Sequence, residues 1–91
     1  MATITGTPTC IDSGDSYTAE TGSDRLLVWA FNSESGSSGS VRTVTSIKFG
    51  TVDMVQAHGS VSDSSGRRHC DVWYIKEADI PSGSNAFSIT W

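Results

Sequence analysis

Hydrophobic residues in this chain occur in short blocks that are rich in β-branched and aromatic side chains, and Gly, Ser and Asp separate the blocks. This pattern is typical of β-strands joined by turns. No segment keeps the i, i+3, i+4, i+7 apolar spacing that a helix of useful length requires. The blocks predict a first strand or arm within residues 2–12 and further strands at residues 16–20, 25–32, 41–50, 52–58, 68–76 and 85–91.

Short strands that follow one another with turn residues between them favour a sandwich or a barrel. We expect an all-β fold: a small antiparallel β-sandwich of the immunoglobulin-like or jelly-roll-like kind, with about six or seven strands. Residues 1–91 are expected to form a single domain, with residues 1–12 as an N-terminal arm or first strand. The polar, Gly- and Ser-containing segments 33–40 and 59–66 are expected to be loops, and a tight turn is expected near Gly50.

Two of the predicted strands are apolar on both faces, which is expected when both faces are covered. In the strand at residues 25–32, Leu26, Val28 and Ala30 lie on one face and Leu27, Trp29 and Phe31 on the other. In the strand at residues 68–76, Val72 and Tyr74 lie on one face and Trp73 and Ile75 on the other. A chain of this size has one core, so one face of each strand fills it and the other needs a cover. The N-terminal arm, a loop with Tyr17 and another subunit all remain open as that cover.

Large aromatic rings left in water would form an apolar patch of the kind that marks an interaction site. The expected interface consists of the two tryptophans and the apolar residues on their faces: Trp29, Phe31, Leu27, Trp73 and Ile75. A sugar-stacking platform would need exposed rings flanked by polar side chains, whereas an assembly surface has aliphatic flanks. The aliphatic neighbours here favour assembly.

Composition and charge limit the partners. The chain carries a net charge of −4, and its six Lys and Arg residues form no stripe that could follow a phosphate backbone, so we expect no nucleic-acid partner. No apolar run is long enough for a membrane helix, so we expect no membrane partner. The first residues, MATITGTPTC, lack the basic segment and apolar run of a secretion signal.

The stretch RRHCDVWYIKEAD places His69, Cys70 and Asp71 side by side. Neighbours on a strand point to opposite faces, so the thiol points away from the imidazole and the carboxylate and cannot share a hydrogen bond with them. The favoured interpretation is a strand with a buried cysteine and a solvated histidine and aspartate. No metal-ligand spacing, nucleophile elbow or phosphate loop occurs elsewhere. We therefore expect no enzyme, no metal and no cofactor.

Cys10 and Cys70 are the only thiols of the chain, and they form a candidate disulfide. Closing a loop of about 60 residues would stabilise the fold by roughly 4 kcal/mol on the chain-entropy model. Two separate reduced thiols, which cytoplasmic synthesis favours, are the competing interpretation.

Four stretches in order, SDRLLVWAF, VTSIKFGTVDMVQ, RRHCDVWYI and IPSGSNAFSITW, resemble a β-sandwich module of phage and environmental-virus structural proteins and of bacterial surface proteins. The resemblance covers roughly residues 23–91 and departs from the module at Thr51, where a second Gly is usual. Such modules usually continue for several strands beyond the position of Trp91, so the resemblance implies a sandwich shortened at its C-terminus. Open edges of such a sandwich invite strand addition, for which the Thr-rich arm at residues 2–9 is a candidate donor.

The resemblance implies a role in assembly or adhesion and carries no shared catalytic residues. We expect a non-enzymatic structural subunit of a viral (phage) particle, such as a capsid decoration, cement or fibre-associated protein. Its expected partners are itself, as a homo-oligomer, and another virion structural protein. It would be made in the host cytoplasm without a signal peptide and reside in the virion. The alternative is a carbohydrate-binding or adhesin β-sandwich module.

Overall fold

The computed structural model describes residues 10, 12–34, 44–61 and 68–90, and these residues form two antiparallel β-sheets. The strands are β1 (Ser16–Thr18), β2 (Leu26–Glu34), β3 (Ser46–Phe49), β4 (Val52–Asp53), β5 (Val55–Val61), β6 (Arg68–Lys76) and β7 (Ser84–Thr90), and a single 3₁₀ turn covers Glu77–Asp79. One sheet has the strand order β1-β7-β3-β4 and the other the order β2-β6-β5. The expected all-β sandwich with about seven strands is confirmed.

The predicted strand at 52–58 is in fact two strands in different sheets. Val52 and Asp53 pair with β3, whereas the chain from Val55 onwards pairs with β6. Met54 is the crossing point: its backbone N–H donates to the Ile47 carbonyl at 2.8 Å, and its side chain is 5% exposed. A buried side chain at this position lets the chain change sheets without leaving the core.

Two predicted loop boundaries are also wrong. The structure extends β2 to Glu34 and β5 to Val61, because both strands keep pairing with β6 as far as its first residues, Arg68 and His69. β5 contains a bulge between Gln56 and His58, and its pairing with β6 continues on both sides of the bulge. The remaining predictions for residues 1–9, 11, 35–43, 62–67 and 91, the arm among them, lie outside the described residues.

The tight turn expected near Gly50 is confirmed as the two-residue connection between β3 and β4. Gly50 has φ 65°, and a Cβ at this position would lie 2.5 Å from the Asn85 side-chain oxygen. Its backbone N–H donates to the Ala86 carbonyl at 2.9 Å, which ties the turn to β7. A left-handed residue against a neighbouring side chain requires glycine here.

Aromatic rings from the two sheets meet in the core. Phe87 of the four-stranded sheet lies with its ring centroid 4.4 Å from that of Trp29 in the other sheet and 4.6 Å from that of Phe49. Ile47 and Phe49 are fully buried. Tyr17 also packs against this cluster, but it belongs to strand β1 and not to the loop that was expected to carry it over the rings.

Candidate interaction surface

The structure places the five expected interface residues in or against the core, and the expectation that they form an exposed surface is wrong. Trp29, Trp73 and Ile75 are 8%, 5% and 3% exposed, and Leu27 and Phe31 are partly buried against them. Tryptophan is the largest apolar side chain, and the core of a small domain gains most from burying it. The strands therefore turn their tryptophan faces inward.

The opposite face of the same sheet carries apolar residues that the sandwich leaves exposed. We call it the outer face and define it by six residues of β2, β5 and β6: Leu26, Val28, Ala30, Val55, Val72 and Tyr74. Leu26 is 58% exposed, Val55 51% and Val28 50%, and these three are the large hydrophobic residues exposed in the described part of the chain. The prediction that two strands would present a second apolar face is confirmed, but on the other side of each strand.

Strand register arranges the outer face in rows across the sheet. Val28 pairs with Tyr74, which pairs with Val55 on its other side, so these three residues form one apolar row. The next row joins Ala30, Val72 and His58. Directly paired residues on one face have side chains in contact range, so each row presents a continuous surface.

Polar residues border the apolar rows at both ends. At one end Leu26 pairs with the exposed Lys76. At the other end the Cys70 thiol donates to the Asn32 side-chain oxygen, with Sγ and Oδ1 2.7 Å apart. An apolar centre within a polar margin is the usual anatomy of a protein–protein interface.

An ion pair fixes the start of β2 beside the end of β6. Both carboxylate oxygens of Glu77 accept hydrogen bonds from Arg25: Oε2 from Nε at 2.7 Å and from the backbone N at 2.8 Å, and Oε1 from Nη2 at 3.0 Å. The guanidinium also donates to the Glu20 carbonyl at 2.8 Å. The side-chain and backbone hydrogen bonds from Arg25 hold the pKa of Glu77 below its ordinary value.

Asp71 is buried and Cys70 is partly exposed, which is the reverse of the expectation for both residues. Asp71 is 1% exposed on the core side of β6, and its Oδ1 accepts hydrogen bonds from Gln56 Nε2 at 2.8 Å and from the Trp73 indole N–H at 3.2 Å. Cys70 lies on the outer side and is partly exposed. The prediction that the thiol and the carboxylate point to opposite faces is confirmed. The predictions of a buried cysteine and a solvated aspartate are wrong. The carboxylate can be buried because donors inside the sandwich satisfy its hydrogen bonds.

The candidate disulfide is not formed, and both Cys10 and Cys70 are free thiols. Cys70 points away from the core on the three-stranded sheet, where it bonds to Asn32. Cys10 precedes the turn at Asp12 to Asp15, which is bound to β7 of the other sheet. No disulfide therefore joins the first part of the described chain to β6.

The described residues were also considered for metal-binding clusters and for helices that could span a membrane. No group of three or more His, Cys, Asp or Glu side chains in these ranges is arranged to hold a metal ion. In the same part of the chain, no helix is both long and apolar enough to cross a membrane.

Comparisons of the chain with models of protein families, with curated proteins and with solved structures found no match.

Reasoning from the sequence missed the outer-face residues as the candidate surface, although it identified the strands that carry them. The signal was the alternation itself, which separates Val28 from Trp29 and Tyr74 from Trp73. Placing the larger rings inside would have selected the correct face. Val55 follows the same alternation, because it is exposed whereas Met54 before it is buried.

Proposed function

We propose that this protein is a non-enzymatic structural subunit of a viral particle, which self-associates through the three-stranded sheet and whose assembled copies dock on another virion structural protein. The observation that carries the proposal is the apolar row of Val28, Tyr74 and Val55, in which both valines are exposed and the tyrosine is partly exposed. The likeness of residues 23–91 to phage and environmental-virus sandwich modules supports the viral setting.

A second copy of the chain is the partner that the three-stranded sheet fits best. The apolar centre of its outer face carries no charged residue, so two copies can approach each other without like-charge repulsion. Lys76 and Asn32 lie at opposite ends of the face, where an interface normally has its polar rim. Aliphatic and aromatic anchors at the centre of such a patch carry most of the binding energy.

The surroundings of the exposed rings favour assembly over a carbohydrate-binding role. Trp29 and Trp73 are buried, so neither ring can stack on a sugar at the surface. Tyr74 remains partly exposed, but its direct neighbours in the row are Val28 and Val55. A sugar platform would need hydrogen-bonding side chains beside the ring.

Variants of the outer face test the proposed self-association. Val28→Ser replaces an apolar residue of the central row, whereas Lys76→Ser changes an exposed residue of the same face at its polar border. We expect Val28→Ser to weaken self-association, measured by native mass spectrometry, and Lys76→Ser to leave it close to that of the parent. Equal behaviour of the two variants would contradict the assignment of the surface.

The viral setting and the alternative require separate measurements. Antibodies raised against the protein should label intact particles of the virus that encodes it, and unlabelled particles would contradict a place in the virion. A glycan array should show no binding that Tyr74→Ala abolishes. Glycan binding that depends on Tyr74 would establish the carbohydrate-binding alternative.

A further inference from the structure

The four edges of the two sheets differ in how open they are to a further strand. In the four-stranded sheet the edge strands are short, with three residues in β1 and two in β4. In the three-stranded sheet β5 contains the bulge between Gln56 and His58, followed by Gly59. Short edge strands and bulges are devices by which proteins block unwanted pairing. These three edges are therefore protected.

The remaining edge, β2, has none of these protections. Its nine residues pair with β6 in an unbroken register from Leu26 to Glu34, and within the described ranges no strand pairs with its other side. It contains no Pro and no Lys, and no charged residue occurs before Glu34. A long, regular and uncharged edge strand is a template for strand addition.

We propose that β2 pairs antiparallel with β2 of a second copy across a two-fold axis, which gives a continuous six-stranded sheet. The inference rests on the proposed self-association and places the contact at the β2 edge, so that the outer faces of the two copies join side by side and together form the surface that docks on another virion structural protein. Two residues that pair in an antiparallel sheet have side chains on the same face, so the paired residues of the two β2 strands must be an even number of positions apart. The two-fold axis therefore passes through one residue of β2, which pairs with the same residue of the second copy.

Val28 is the residue that best fits the two-fold position. With Val28 opposite Val28 of the second copy, the row of Val55, Tyr74 and Val28 continues into the same row of the other subunit. The same register sets Leu26 beside Ala30 of the second copy, so the five residues of β2 that pair with one another, 26–30, are all apolar. Residues 31–34 extend past the start of β2 in the second copy and stay outside this ladder. On the other side of the sheet the row ends at Val55, next to the bulge.

Charge substitutions at Val28 test this geometry, because a residue on a two-fold axis meets itself. Val28→Lys and Val28→Glu should each weaken the homodimer at least about tenfold, since like charges directly opposite are destabilising. An equimolar mixture of the two variants should restore dimerisation as a heterodimer. The matched control is Ala86→Lys, which places the same charge at an exposed position of β7 in the other sheet and should leave the dimer unchanged. Val55→Lys, at a residue of the same row with nearly the same exposure as Val28, 51% against 50%, separates edge pairing from docking through the outer face: edge pairing predicts that it weakens the dimer less than Val28→Lys does.

Sedimentation velocity of the variants and of their mixture separates the outcomes. If Val55→Lys weakens the dimer as much as Val28→Lys, the copies dock face to face; edge pairing is then overturned and the proposed function stands. If the unmodified protein stays monomeric, both are overturned. If the mixture shows no recovery and deletion of residues 2–9 abolishes the dimer, the arm occupies the edge and the two-fold pairing is overturned.

Hydrogen exchange of the unmodified protein provides a test that needs no variant to fold. Raising the protein concentration should increase amide protection in β2 and leave β5 unchanged, because only β2 gains backbone partners. Equal changes in both edge strands would overturn the inference.

Discussion

The assignment of faces in the three-stranded sheet can be tested by two deletions of equal chemical size. Ile75→Ala and Leu26→Ala remove the same number of carbon atoms from neighbouring strands. Ile75 is 3% exposed on the core side, whereas Leu26 is 58% exposed on the outer face. The structure therefore predicts a large cost for the first substitution and a small one for the second.

The magnitudes follow from burial. Three buried carbons correspond to about 2.4 kcal/mol at about 0.8 kcal/mol each, and the cavity left behind brings the cost of Ile75→Ala to about 3–4 kcal/mol. Leu26 hides less than half of its surface, and no cavity forms on removing it, so we expect at most about 1 kcal/mol. The difference matters because a small domain has only about 5–15 kcal/mol of net stability.

Urea titration followed by tryptophan fluorescence, at protein concentrations where the chain is monomeric, measures both values. Both tryptophans of the described chain are buried, so their emission reports loss of the core. On thermal melting, each kcal/mol corresponds to a shift of about 4–8 °C for a domain of this size. A cost for Leu26→Ala equal to that for Ile75→Ala would refute the assignment of inner and outer faces.

Three further predictions concern single features of the fold. Gly50→Ala should destabilise the protein by about 1–2 kcal/mol or more in a thermal melt, since it forces a side chain into a left-handed position against Asn85; an unchanged melting temperature would contradict this. The pKa of Glu77 is lower in the folded chain than its ordinary value of 4.5, so the ionised carboxylate stabilises the fold fully above that pH, and this stabilisation is lost as the pH falls through the lowered value. Glu77→Gln should remove this pH-dependent part of the stability. An acid unfolding curve identical to that of the parent would show that the pair with Arg25 does not form in solution. Alkylation of the unreduced protein should modify both cysteines in the mass spectrum, and an unmodified pair would reveal a disulfide that the fold does not contain.

Much of the fold could be predicted from the sequence because its strands are strongly marked. The nine residues of β6 were predicted with both boundaries correct, since β-branched and aromatic residues fill the strand and the polar segment EAD follows it. The choice of face could not be read from hydropathy alone, because β2 and β6 are apolar on both sides. Ring size is the further signal in the sequence, and the packing of Phe87 from the other sheet against Trp29 shows that the larger rings face inward.

Two other differences have local physical causes that hydropathy does not record. The sequence Val52 to Val55 reads as one continuous strand, and the change of sheet is seen only in the pairing: Val52 and Asp53 pair with β3, whereas Val55 pairs with Tyr74 of β6. A carboxylate is normally expected in solvent. Asp71 is buried because the indole N–H of Trp73, two residues along the same face of β6, and the amide of Gln56 on the adjacent strand both donate to it.

Sedimentation equilibrium of the unmodified protein over a wide concentration range tests the central claim most directly, because the proposed function and the proposed pairing of β2 both depend on association with a second copy. The account predicts a reversible monomer–dimer equilibrium, with the dimer at twice the mass of the chain and its fraction rising with concentration. A single species with the mass of one chain at every concentration, from protein whose tryptophan fluorescence shows an intact core, would contradict it.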